Sequence, residues 1–172
     1  KGGTKLRREI IDQGAKNEAL QILCAVLLTT EKVTISNIPD IRDVNKLIEL
    51  LRSLGVKAER LAPDTYTFQA DDVDIDFPCS EGFVELGPAI RGSVMIVGPM
   101  LARFGKAKMP KPGGDKIGRR RLDTHFTGFE KLGASLEYSA EDDFYTVTSS
   151  ALKGAYMLLD EASVTGTGNI LM

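Results

Sequence analysis

Positive charge is concentrated in one stretch of the sequence. The segment 103–121 contains eight basic residues and a single acid, Asp115, so it carries +7 while the rest of the chain carries −9. One interpretation is a solvated basic face, and the other is a positive field that attracts a small anionic molecule. Nucleic acid is disfavoured as a partner, because Phe104 is the only aromatic residue within the segment and platforms for base stacking are missing.

Two short motifs have the composition to contact a phosphate. The motif Gly14-Ala15-Lys16-Asn17 lies where a predicted strand meets a predicted helix, so free N–H groups and a lysine meet there. Its alternative is an ordinary helix start with a surface lysine. The segment 112–120 is a basic loop that carries Asp115, and its alternative is a Pro-Gly turn with solvated charges.

Other motifs exclude several classes of enzyme. His125 is the only histidine, so a Ser-His-Asp triad or a histidine-rich metal site is hard to build, and a structural role is favoured. Gly113 and Gly118 have the spacing of a P-loop, but arginines follow where lysine and a hydroxyl residue are needed, which argues against ATP hydrolysis. The segment 166–168 lacks the third glycine of a dinucleotide fingerprint.

Composition places the chain among ordinary globular proteins. It has 172 residues, of which 42% are hydrophobic and 27% charged, enough for one domain or slightly more. The longest apolar run, Ile22 to Leu28, is too short for a membrane span, and no secretory signal opens the sequence. Cys24 and Cys79 form no disulfide framework. We therefore expect a cytoplasmic protein without a membrane partner and with structural thiols.

An internal repeat organises the chain. The segment 54–59 recurs as 132–137, and each copy follows a helical pattern of apolar residues and precedes a β-rich run. Gly55 and Gly133 fit the position after a helix where a positive φ is required. The repeated unit is predicted as strand, helix, strand, helix, strand, strand, with parallel pairing across short crossovers. A third copy begins with a strand at Gly154–Leu159 and a helix from Thr165, and is truncated there.

Four blocks in the correct order carry a resemblance to a known family. The segments 2–6, 14–20, 98–105 and 112–118 resemble the UDP-N-acetylglucosamine 1-carboxyvinyltransferases, which are enolpyruvyl transferases. The resemblance implies an α/β fold, the inverted α/β barrel built from repeated β-α-β-α-β-β units. It also implies two domains, with residues 1–15 as a strand of the second domain and residues 16–172 as most of the first.

The resemblance further implies a reaction and its site. The family transfers the enolpyruvyl group of phosphoenolpyruvate to the 3′-hydroxyl of UDP-N-acetylglucosamine, the first committed step of peptidoglycan synthesis, and uses no metal or other cofactor. Lys16 and Asn17 match a pair that binds phosphoenolpyruvate, whereas Arg91 and Arg120 match arginines that hold substrate anions. The matches to UDP-sugar contact segments are Arg120, Arg121, Leu122, Asp123, Thr124, Ser163 and Val164.

Asp115 departs from the usual family pattern. Most members carry cysteine at this loop position, where the thiolate is attacked by fosfomycin, and a minority carry aspartate. A carboxylate is a poorer nucleophile towards an epoxide, yet it can still transfer a proton. We therefore expect Asp115 to be the catalytic general acid of an enzyme that is insensitive to fosfomycin. Arg121 and Glu161 also differ from the common pattern.

Three alternatives stay open at this level. The 172 residues could be a UDP-sugar-binding module without chemistry, because further catalytic groups of the family lie in the domain that is missing here. An enolpyruvylshikimate-phosphate synthase shares the fold, but its Asp-Lys-Ser pattern is not found at residues 14–17. An RNA-processing enzyme on a similar repeat fold would need His125 as its nucleophile.

Overall fold

Helices and short strands alternate along the chain. The computed structural model describes residues 2, 3, 5, 7, 9–76, 91–111 and 122–172. The helices of this part are α1 (Lys16–Ala25), α2 (Arg42–Ser53), α3 (Val97–Phe104), α4 (Asp123–Lys131) and α5 (Val164–Leu171), with the 3₁₀ helices η1 (Val26–Leu28) and η2 (Arg91–Ile96). The strands are β1 (Val33–Ile35), β2 (Lys57–Ala62), β3 (Thr65–Gln69), β4 (Lys106–Pro110), β5 (Ser135–Ser139) and β6 (Phe144–Thr148).

The strands form two small sheets of identical topology. In the first sheet the order is β1-β3-β2, and in the second it is β4-β6-β5. Each central strand is the last of its unit and forms a hairpin with the strand just before it. Because the same order of elements appears twice, the structure confirms the repeat and the α/β fold that the sequence predicts.

The pairing of these strands differs from the prediction. All pairs between the described strands are antiparallel, so the predicted parallel pairing is wrong for them. The reason lies in the strand order. Strands β1 and β2, joined through α2, both run antiparallel to β3 and therefore parallel to each other, but β3 lies between them. The crossover thus joins parallel strands that are not neighbours.

The opening strands of the repeated units are not part of these sheets. Residues 154–159, predicted as the first strand of the third copy, form no ladder with any described segment, and a strand requires such a partner. Residues 77–90, which precede η2 of the second copy, lie outside the described residues. Residues 9–15 form neither helix nor strand, and their assignment to a second domain stays a prediction.

Helix ends follow the local sequence closely. Helix α2 ends at Ser53 and α4 at Lys131, and in each case a glycine follows two residues later with a positive φ, +94° at Gly55 and +96° at Gly133. Side chains avoid this conformation, which glycine adopts without steric cost. The predicted role of both glycines is confirmed, and it places the two hairpins at equivalent points of the two units.

One apolar core joins the two units. The predicted apolar face of α2 is buried at Val44, Leu47, Ile48 and Leu51, and it packs in the same cluster as residues of both sheets. Cys24 lies in this core, and burial raises the pKa of its thiol, as expected for a structural cysteine. Cys79 lies outside the described residues. Across the helices that the structure describes, none is both long enough and apolar enough to cross a membrane.

Helix α5 is the element on which the others converge. It packs against α4, α3, α1 and η2. Glycines allow this close approach, since a Cβ at Gly98 would collide with Asn169 and one at Gly128 with Ile170. These contacts dock α5 on α3 and α4, and both α4 and α5 carry predicted substrate-binding residues.

Candidate functional site

The first turn of α1 presents a lysine and free helix donors. Ala15 is the N-cap residue, in an extended conformation and with no side chain capping the helix, so the positive end of the helix dipole is open at Lys16 and Asn17. Both side chains are exposed. Lys16 forms an ion pair with Asp43 of α2, and the two side chains are 49% and 41% exposed. An anion that approaches this turn therefore competes with Asp43 for the ammonium group.

A narrow groove runs beside the same turn. Gly14 lies against the carbonyl oxygen of Asn37, where a Cβ would collide with the backbone. The groove between these segments has a volume of about 80 Å³, and its lining includes Glu18, Ile22 and Ser36. Sites for drug-sized ligands reach at least ~300 Å³. This groove is therefore too small for a nucleotide sugar.

The N-termini of α4 and α5 lie side by side. The Thr124 hydroxyl donates a hydrogen bond to Asp160 Oδ1, 3.0 Å away, just before α5. Ser163 caps α5, since its Oγ accepts the Gly166 N–H at 3.0 Å. A Cβ built on Gly166 would lie 3.1 Å from Thr124 Cγ2, so the two helix starts are in contact. The structure thus brings together two predicted UDP-sugar segments that are far apart in the sequence.

The predicted site residues at the starts of α4 and α5 fall into an exposed group and a more buried group. Asp123 is exposed at the start of α4, and Val164 is 73% exposed at the start of α5. Thr124 is only 1% exposed and Leu122 is half-buried, so they hold the two helices rather than face solvent. Two adjoining helix N-termini concentrate N–H groups and positive potential on one surface. The carboxylates of Asp123 and Asp160 lie at the same helix starts.

Several predicted site residues are not placed by the structure. Asp115, Arg120 and Arg121 fall within 112–121, outside the described residues. The backbone of Arg91 opens η2, and only its backbone is described. Of the basic segment 103–121, the structure describes residues 103–111.

Three contacts of the site were not visible in the sequence. Asp43 pairs with Lys16, Asp160 accepts from Thr124, and Asn169 contacts His125 with Nδ2 3.0 Å from Nδ1. One signal for Asn169 was available, because an amide within an apolar helix and next to Gly168 is typical of a buried, fully bonded side chain. His125 is 3% exposed, which agrees with the predicted structural role. Within the described part of the chain, no cluster of three or more His, Cys, Asp or Glu is arranged to hold a metal ion.

Comparison with known proteins gives consistent matches over the whole chain. Residues 1–172 match the family model described as EPSP synthase (3-phosphoshikimate 1-carboxyvinyltransferase). The UDP-N-acetylglucosamine 1-carboxyvinyltransferase of Porphyromonas gingivalis is 60% identical over 171 residues, and that of Bacteroides thetaiotaomicron is 58% identical over 171 residues. Each alignment covers 99% of this chain and 39% of the relative, so the chain spans about two fifths of the length of these proteins.

Solved structures share the fold at lower sequence identity. The enolpyruvyl transferase NikO from Streptomyces tendae aligns with a TM-score of 0.66 and 22% identity, over 88% of this chain and 32% of that one. An EPSP synthase from Acinetobacter baumannii also aligns with a TM-score of 0.66, at 15% identity over 92% of this chain and 36% of that one. At such identities the likeness concerns the fold alone.

Proposed function

Since the chain belongs to the EPSP synthase (3-phosphoshikimate 1-carboxyvinyltransferase) family, whose model it matches from residue 1 to residue 172, we propose that it is part of an enolpyruvyl transferase. The proposed reaction transfers the enolpyruvyl group of phosphoenolpyruvate to the 3′-hydroxyl of UDP-N-acetylglucosamine, with release of phosphate, in peptidoglycan synthesis. The choice of acceptor is carried by one observation, the 60% identity with the P. gingivalis enzyme of that name. The proposed setting is the cytoplasm.

The steps of the proposed reaction determine which groups the site must contain. The acceptor hydroxyl loses its proton to a base as its oxygen forms a bond to C2 of phosphoenolpyruvate, while C3 takes up a proton from an acid. The bond from C2 to the phosphate oxygen then breaks, phosphate leaves, and C3 releases a proton to restore the double bond. Phosphoenolpyruvate brings a carboxylate and a phosphate, so catalysis requires fixed cations and N–H donors near both groups.

Lys16, Asn17 and the open first turn of α1 meet this demand for phosphoenolpyruvate. An uncapped helix start combined with a lysine is a favourable place for a phosphate. The ion pair with Asp43 is exposed, and such pairs contribute about 0–1 kcal/mol, so phosphate can displace the carboxylate at small cost. Arg91 and Arg120 are proposed to hold the remaining negative charge of the substrates.

The adjoining starts of α4 and α5 are proposed to bind UDP-N-acetylglucosamine. Asp123 and Val164 are exposed on this surface and can contact the nucleotide sugar, while Thr124 and Ser163 fix the helix ends. Arg121 precedes this surface directly in the sequence and Leu122 is half-buried beside it. The contact between Thr124 and Gly166 supports the proposal, because it makes two separate segments into one surface.

Asp115 is proposed as the general acid that delivers the proton to C3. A carboxyl group can carry a proton as the cysteine at this position in most relatives does, but it is a weak nucleophile. The proposed enzyme is therefore insensitive to fosfomycin.

The experiment that tests the function measures phosphate release by the full-length protein. We expect release that requires both phosphoenolpyruvate and UDP-N-acetylglucosamine, and none when shikimate 3-phosphate replaces the nucleotide sugar. Release with shikimate 3-phosphate alone would move the protein to the other activity of its family. The isolated 172 residues are the matched control, and we expect only background turnover from them, with weak UDP-sugar binding by calorimetry.

A further inference from the structure

A buried carboxamide connects the elements that carry the proposed substrate contacts. Asn169 of α5 is 1% exposed. Its Oδ1 accepts a hydrogen bond from the Gly98 N–H at 2.9 Å, and its Nδ2 donates to the Val94 carbonyl oxygen at 2.9 Å. The same Nδ2 lies 3.0 Å from Nδ1 of His125. One side chain of α5 thus bonds to η2, α3 and α4.

The chemistry of the two backbone partners fixes how this amide is oriented. An N–H can only donate and a carbonyl oxygen can only accept, so Oδ1 must face Gly98 and Nδ2 must face Val94. The second hydrogen of Nδ2 then points at His125, whose Nδ1 has to accept it. The imidazole therefore carries its proton on Nε2. All hydrogen-bonding positions of the carboxamide that face these groups are matched.

The hydrogen-bond partners of Asn169 lie close in sequence to predicted substrate-binding residues. Val94 lies one turn after Arg91 in η2, and His125 directly follows Thr124 at the start of α4. Asn169 itself lies in the helix that Ser163 caps. The carboxamide consequently joins the three segments to which binding of substrate anions and of the UDP-sugar is assigned. Lys16, at the exposed start of α1, has no bond to this group.

We propose that Asn169, together with His125, is a positioning pair that holds the starts of α4 and α5 in register with η2 and thereby sets the affinity for the nucleotide sugar. The inference rests on the proposed function. The proposal predicts a selective effect. Because the pair positions the UDP-sugar surface, its loss should raise the KM for UDP-N-acetylglucosamine more than the KM for phosphoenolpyruvate.

Loss of the amide would remove the hydrogen bonds that tie α5 to the Gly98 N–H and to the Val94 carbonyl. Both groups are buried, so α5 would lose its polar connection to η2 and α3 in the interior. For Asn169→Ala we expect the KM for UDP-N-acetylglucosamine to rise about tenfold or more, with the KM for phosphoenolpyruvate changed less than about threefold.

A pair of variants at His125 separates positioning from packing. In His125→Asn the side-chain oxygen can occupy nearly the place of Nδ1 and accept from Asn169, whereas His125→Leu offers no acceptor. Both lose the rest of the ring, so they are matched. We expect the KM for UDP-N-acetylglucosamine to rise about fivefold in His125→Leu and to stay within about twofold of wild type in His125→Asn.

The test measures both KM values in the full-length protein for these three variants and for Leu51→Ala, a fully buried control in α2. The control should lower the melting temperature and leave both KM values unchanged. Should wild type release no phosphate, the proposed function fails and this inference with it. Should wild type be active while His125→Leu and His125→Asn behave alike, or while Leu51→Ala shows the same rise as Asn169→Ala, the positioning role alone is wrong. The His125 pair decides the question even if Asn169→Ala does not fold.

Discussion

At the scale of single residues, Lys16 shows how far local sequence determines a site. The segment from Gly14 to Asn17 predicted a helix start with a lysine, and α1 begins at Lys16. The partner Asp43 belongs to another helix and could not be identified, since ion pairs between helices depend on how the helices pack. The partners of Asn169 could not be identified from the sequence either, because they belong to three other elements.

The first prediction concerns the charge of Lys16. Lys16→Met removes the ammonium group proposed to face phosphate, and we expect kcat/KM for phosphoenolpyruvate to fall about 100-fold, as for loss of a charged partner in the transition state. Steady-state phosphate release by the full-length protein measures it. Asp43→Asn is the matched variant that removes only the competitor, and it should lower the KM for phosphoenolpyruvate by at most about threefold. An unchanged kcat/KM in Lys16→Met would contradict the assignment.

The second prediction concerns Asp115. Because a carboxylate reacts poorly with an epoxide, preincubation with fosfomycin should leave the full-length protein active, and Asp115→Cys should become inactivated with time. Asp115→Ala should lose about 100-fold in kcat, the size of a general-acid contribution. Time-dependent inactivation of the wild type, or full activity of Asp115→Ala, would remove Asp115 from the mechanism.

At the scale of elements, helices were more predictable than sheets. The apolar spacing of α2 and the glycine after it follow from neighbouring residues, and both were confirmed. Strand neighbours are set by contacts distant in the sequence, and the parallel pairing predicted from the crossovers was wrong because β3 lies between β1 and β2. Residues 154–159 have the composition of a strand but no partner in the described sheets.

The third prediction tests how α5 is docked. A Cβ at Gly98 meets the backbone oxygen and the amide oxygen of Asn169, and the amide oxygen cannot move away without breaking its hydrogen bond to the Gly98 N–H. A Cβ at Gly128 meets only the end of the Ile170 side chain, which can rotate. We expect Gly98→Ala to cost about 2–3 kcal/mol of unfolding free energy and Gly128→Ala about 1 kcal/mol or less. Denaturant titration of the full-length protein measures both, and equal costs would contradict the tight contact at Asn169.

At the scale of the whole molecule, two copies of one supersecondary unit build a common apolar core. The repeat was visible in the sequence because 54–59 recurs as 132–137, and the two sheets have the same strand order. The TM-score of 0.66 with enolpyruvyl transferase structures at 22% and 15% identity indicates that this architecture persists when most residues change.

The most direct test of this account is a crystal structure of the full-length protein with UDP-N-acetylglucosamine and phosphate bound. We expect the nucleotide sugar to lie against the starts of α4 and α5, in contact with Asp123 and Val164, and phosphate to lie at Lys16 with the Asp43 ion pair broken. Ligands bound well away from both helix starts, with Lys16 still paired to Asp43, would contradict the assignment of the site.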